Sequence, residues 1–136
     1  MTYNKPNNNG YNKGSGYDKP QATIPTIILD YINNPNLFDE TAKEVSLKIS
    51  KTKSTQIRNF YDYVLDLNQQ SKVKPFSEVL PFVKMLNSKV AYSRSRGHST
   101  DEFVLMMQNC IKQVDSKEKL EIFKLFFEAV IGFSKK

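Results

Sequence analysis

The chain has 136 residues, 39% apolar and 25% charged, which predicts one globular domain with room for a buried core. Its lone cysteine, Cys110, excludes an intramolecular disulfide, and no apolar run reaches the ~18–20 residues of a membrane span. The net charge is +6, and residues 72–98 hold +5 of it, six basic groups against Glu78 alone.

Residues 1–22 are rich in Asn, Gly, Lys and Tyr and show no apolar period. Such a stretch buries too little apolar area to offset its ordering entropy, so it reads as a disordered leader before a domain over 23–136. It also lacks the apolar core of a secretory signal, which predicts a cytoplasmic protein with no membrane partner. Ile27, Ile28, Tyr31 and Ile32 predict a short helix ended by Asn33, Asn34 and Pro35. A second helix is predicted over about 36–50, with Leu37, Phe38, Ala42, Val45 and Ile49 near one face. Asp39 and Glu40 open it and Lys48 closes it, which suits the helix dipole.

The spacing of Ile57, Phe60, Tyr61, Val64 and Leu65 predicts a third helix over about 54–70. A fourth is predicted over about 76–96, with Val79, Phe82, Val83, Leu86 and Val90 as its apolar stripe. Pro81 must kink it or mark its first turn, and Gly97 is a left-handed stop. Ser99 to Glu102 has the form of a capping box, with Ser99 as the cap of a fifth helix. Phe103, Met106, Met107, Cys110, Ile111 and Val114 line its buried side. A sixth helix, about 117–133, is apolar on most of its girth, with Glu121, Lys124 and Glu128 as its polar stripe. The fold class is all-α, a compact helical bundle of about five to six helices joined by short loops.

An enzyme needs several converging groups, and none are found, so no enzyme, metal or cofactor is expected. His98 is the sole histidine, beside Gly97 in a loop, and reads as a surface residue. There is no Cys/His cluster for zinc and no glycine-rich phosphate loop. Cys110 reads as an inert core thiol, and Asn59, Asp62 and Asp66 as a solvated helix face.

The predicted fourth helix carries a sharper signal. Met85, Lys89, Tyr92 and Arg96 recur at i, i+4, i+7 and i+11, within about 60° of arc. No acid occurs from Lys84 to Arg96, and Arg94 adds a further charge nearby. Cations in line contact successive phosphates, and a phenol stacks on a base or donates to phosphate. A second candidate is the run Lys51 to Arg58, where Lys53 and Arg58 flank a helix start that also offers backbone N–H groups. Ordinary capping by Thr52 or Ser54 is compatible with that reading.

Three stretches resemble one family. Ser54-Thr55-Gln56-Ile57-Arg58-Asn59-Phe60 resembles the T-S-Q-I-R-K signature of the small helical subunit of type III-A CRISPR (Csm) effector complexes. Lys89-Val90-Ala91-Tyr92-Ser93-Arg94-Ser95-Arg96 resembles that family's (V/A)-Y-x-x-G-R element, with Ser95 at the glycine. Phe126 to Phe133 resembles its closing helix, (Y/F)-x-E-A-(L/I)-V-A-(Y/F). The resemblance spans about residues 36–136, in the same order.

The resemblance implies a non-catalytic subunit whose copies stack along the crRNA–target RNA duplex and hold it by its phosphates. Target cleavage would then belong to the backbone subunit, and DNA cleavage and cyclic oligoadenylate synthesis to the large subunit. By motif, Gln56, Arg58, Tyr92 and Arg96 are the implied RNA contacts; Lys53, Lys89 and Arg94 join them on charge alone. Two other readings compete. One is a helical protein–protein adaptor without RNA binding, docking through the apolar sixth helix. The other is a DNA-binding helical regulator, which would need a short helix, a tight turn and a recognition helix rich in base-reading side chains.

Overall fold

The computed structural model describes residues 21–134. The expected disorder of the leader falls on residues 1–20, outside these, and on the two residues that follow. Among the described residues there are five α-helices and no strand. They are α1 (Ala42–Lys48), α2 (Ser54–Gln70), α3 (Phe76–Ser95), α4 (Asp101–Ile111) and α5 (Lys117–Ser134). α5 packs on α1 and α2, while α3 packs on α4 and α2. The all-α bundle read from the sequence is the observed architecture.

The core follows from the apolar spacing. Ile57, Phe60, Val64 and Leu67 bury one face of α2, and Val79, Val83, Leu86 and Val90 bury one face of α3. α5 contributes Leu120, Phe123, Phe126, Phe127 and Val130. A line of rings crosses the centre: Phe60 meets Phe103 edge-on at 5.6 Å, Phe103 meets Phe127 at 6.3 Å, and Phe127 stacks with Phe123 at 6.1 Å. Such pairs add to the stabilisation already given by burial. Cys110 lies wholly inside this core, and burial pushes its thiol far above the ordinary value, which removes it as a nucleophile.

The helix predicted over 27–32 does not form. Residues 21–30 are non-helical, followed by turns. Ile27 and Leu29 are buried while Ile28 is exposed, an alternation that belongs to extended chain. The backbone groups of this strap are taken by side chains from elsewhere. Gln113 Oε1 accepts from Leu29 N–H at 2.9 Å, and Gln113 Nε2 donates to the Ile27 carbonyl at 2.8 Å. Lys119 Nζ donates to the Leu29 carbonyl at 2.6 Å. Asp30 then accepts from the N–H groups of Ile32 and Asn33, so its carboxylate competes with a helix ladder and turns the chain. Hydrogen bonds from Asn33 also hold the Asp30 carboxyl below its usual range. Gln113→Ala orphans both strap contacts, each worth about 1 kcal/mol. Amide exchange at Leu29 then accelerates about 5- to 30-fold while core amides of α5 keep their protection, as hydrogen-exchange NMR would read.

The helix predicted over 36–50 splits. Leu37–Thr41 forms a π-helical turn, with Thr41 N–H donating to the Asn36 carbonyl at 3.1 Å, and α1 follows. α3 tolerates Pro81 in its interior because Pro81 and Ser77, whose carbonyl it leaves without a helical donor, are both exposed. Phe82, expected in the stripe, is 51% exposed. It lies about 60° to one side of Val79 and leads the row Met85, Lys89, Tyr92 and Arg96 instead.

α3 ends as expected at Gly97, whose φ is 78°. Gly97 N–H donates to the Arg94 carbonyl and His98 N–H to the Ser93 carbonyl, both at 2.9 Å, the two bonds of a Schellman ending. Gly97→Ala keeps the fold but lowers the unfolding free energy by about 1–2 kcal/mol, measured by urea denaturation, because the strain is in φ and a Cβ meets no neighbour there. The cap of α4 is Thr100, not Ser99. Thr100 Oγ1 accepts from Phe103 N–H at 3.3 Å, whereas the Ser99 hydroxyl is drawn to Ser93 at 2.6 Å.

Candidate nucleic-acid interface

The basic row of α3 faces α2 across a groove of about 280 Å³. Lys89, Tyr92 and Arg96 form the α3 wall; Gln56, Asn59 and Tyr63 form the α2 wall; His98, just past the Gly97 turn, closes one end. Residues 56, 59 and 63 recur at i, i+3 and i+7, so one stripe of α2 meets one stripe of α3.

Each cation is held by a tyrosine. Lys89 Nζ lies 5.0 Å from the centroid of Tyr63. Arg96 Nη1 donates to the Tyr92 hydroxyl at 2.9 Å, and its Cζ lies 5.7 Å from the ring centroid. Exposed cation–π contacts are worth about 0.5–1 kcal/mol, enough to bias a long side chain toward one direction. No Asp or Glu lines the groove. Among the described residues, the ion pairs are Lys72–Glu121, Arg94–Asp101 and Lys124–Glu128, so neither Lys89 nor Arg96 is neutralised by a carboxylate.

The floor is a buried hydroxyl relay. Ser93 Oγ donates to Gln56 Oε1 at 2.8 Å and lies 2.6 Å from Ser99 Oγ, with both serines buried. The Gln56 oxygen thereby accepts from Ser93, and the amino group of the same amide is a donor in the groove lining. Thr52 is also buried, bonded to Thr100 Oγ1 at 2.8 Å and accepting from Thr100 N–H at 3.0 Å. These bonds fasten the start of α2 to the α3–α4 turn, so Gln56, Arg96 and His98 keep a fixed relation.

The seven residues singled out in the sequence do not all meet. Gln56, Lys89, Tyr92 and Arg96 converge in the groove. Arg58 lines a separate recess of about 430 Å³ with Ser54, Thr55 and, from α5, Ile131 and Ser134; Asn59 borders both spaces. The Arg58 guanidinium lies 6.0 Å from the centroid of the Tyr61 ring. Lys53 is the exposed N-cap residue of α2, which has no side-chain cap from Thr52 or Ser54. Arg94 lies about 160° around α3 from Arg96 and is paired with Asp101, which raises its guanidinium further. Asn59, Tyr63 and His98 join the groove without having been singled out. The i, i+3, i+7 row from Gln56 carries the signal for Asn59 and Tyr63; nothing local marks His98, which a turn delivers.

Among the described residues, no group of His, Cys, Asp or Glu is arranged to hold a metal ion, and no helix is long and apolar enough to cross a membrane. The family model for Csm2 Type III-A matches residues 33–136, which takes in all five helices and every groove residue. The chain belongs to this family and is a small subunit of a type III-A CRISPR (Csm) effector complex. Searches of curated proteins and of solved structures find no match.

Proposed function

We propose that this subunit is non-catalytic and holds the backbone of the crRNA–target RNA duplex through the α2–α3 groove, helping to assemble the complex for antiviral defence. The observation that carries the reading is the carboxylate-free groove, with Lys89 and Arg96 each steadied by a tyrosine. Clustered cations gain affinity for a polyanion by releasing its counterions. Lys53 and Arg58, exposed at the start of α2, extend the positive surface beyond the groove. Arg94 is the weakest member of the set because Asp101 already offsets its charge. The backbone and large subunits are the protein partners, copies of the chain associate in a short stack, and the complex works in the cytoplasm. Residues 23–136 form the RNA-binding domain.

The test is to purify the tagged chain from its native host at moderate salt. Short guide-like RNAs of discrete length, arriving with the other CRISPR-complex proteins, are the expected result. A genomic DNA fragment without RNA would favour the regulator. The same proteins without RNA, unaffected by salt, would favour the adaptor.

A further inference from the structure

The groove is more than a phosphate track, and four of its features share one ligand chemistry. Its volume of about 280 Å³ falls just under the range of small-ligand sites, about 300–1,000 Å³, and gives room for one ring system. Both walls carry an aromatic ring open to solvent, Tyr63 at 45% and Tyr92 at 63% exposed. Its polar lining offers donors and no carboxylate: the Gln56 amino group beside an oxygen that accepts from Ser93, and the Asn59 amide. The cations mark its two ends. Lys89 also lines the next recess along α3, with Phe82 and Met85, whereas Arg96 stands beside the Gly97 turn. A planar, acceptor-bearing group with a phosphate on each side is the ligand these features fit.

We propose that the groove takes one unpaired nucleobase of the bound RNA, set against Tyr92 and Tyr63, with Lys89 and Arg96 on the flanking phosphates. This deepens the RNA-binding reading and rests on it. Splayed bases stack on aromatic rings and on guanidinium planes, and stacking accepts any base because every base has a π-face. The site therefore selects for an unpaired nucleotide and not for a sequence. Gln56 and Asn59 supply donors to the edge of the base, and the Ser93–Ser99 relay holds Gln56 in that orientation.

The experiment uses the full chain and three RNA duplexes of one sequence. One is fully paired, one carries a single 2-aminopurine bulge, and one carries an abasic bulge. The 2-aminopurine duplex binds about tenfold tighter than the other two, with its emission quenched on binding. Tyr92→Leu abolishes both the preference and the quenching, while Lys112→Ala, an exposed charge outside the groove, preserves both. Equal affinity for the base and abasic bulges overturns the base site and leaves backbone binding intact. Failure to bind any duplex overturns both. Adenosine monophosphate binding as tightly as the bulged duplex overturns the RNA origin of the base, since the site would then serve a free nucleotide.

Discussion

Replacing Lys89 and Arg96 together by alanine lowers RNA affinity about 30-fold near 0.15 M salt and makes the log–log salt slope about two units shallower. The magnitude follows because the variant no longer reaches two phosphates, each of which contributes a slope of about 0.9. Both side chains are exposed and neither holds a carboxylate, so the helical content stays at the wild-type value and the unfolding free energy falls by no more than about 2 kcal/mol, the loss of two exposed cation–π contacts. Binding isotherms at four salt concentrations, with circular dichroism on the same samples, check both halves. Arg94→Ala is the internal comparison. Because Asp101 already neutralises that guanidinium, its removal changes the slope by less than one unit. Equal effects from Arg94→Ala and Arg96→Ala would mean that the exposed surface as a whole, not the groove, attracts RNA.

The largest effect on stability comes from Phe127→Ala. Phe127 is wholly buried and touches three rings, Tyr61 at 5.6 Å, Phe123 at 6.1 Å and Phe103 at 6.3 Å. It therefore joins α2, α4 and α5 at one point. Truncation removes its transfer free energy and opens a cavity that rigid neighbours fill poorly, at a cost of about 3–5 kcal/mol. That is a large share of the roughly 5–15 kcal/mol available to a small domain, so the variant is partly unfolded near body temperature. Urea denaturation gives the number directly. A drop below about 1 kcal/mol would show that the ring cluster is not the organising centre of the bundle.

The helices were legible where one face is buried without interruption. The bounds of α2 follow from Ile57, Phe60 and Val64, and α5 from Leu120, Phe123, Phe127 and Val130. Local signals failed where distant side chains decide. Ile27 to Ile32 carry helix-like spacing, but Gln113 and Lys119, more than 80 residues away, satisfy the backbone as extended chain. Ser99 and Thr100 are equally good caps on paper; the nearby Ser93 hydroxyl, itself bonded to Gln56, takes Ser99 and leaves Thr100 for α4. The groove was half legible. The α3 row announces itself by spacing and by the missing acids. Its partner stripe on α2 was obscured because Asn59 shares a polar face with Asp62 and Asp66. Arg94 joined the set on charge alone, and two residues along a helix from Arg96 is nearly the opposite side, where Asp101 waits.

Ultraviolet crosslinking of the assembled complex, followed by peptide mass spectrometry, reads whether RNA lies in the α2–α3 groove. Crosslinks to RNA concentrated on the exposed rings of Tyr63 and Tyr92, and on the half-buried His98 beside them, are the predicted result. RNA crosslinks confined to α1 or α5, with the groove peptides recovered unmodified, would contradict it.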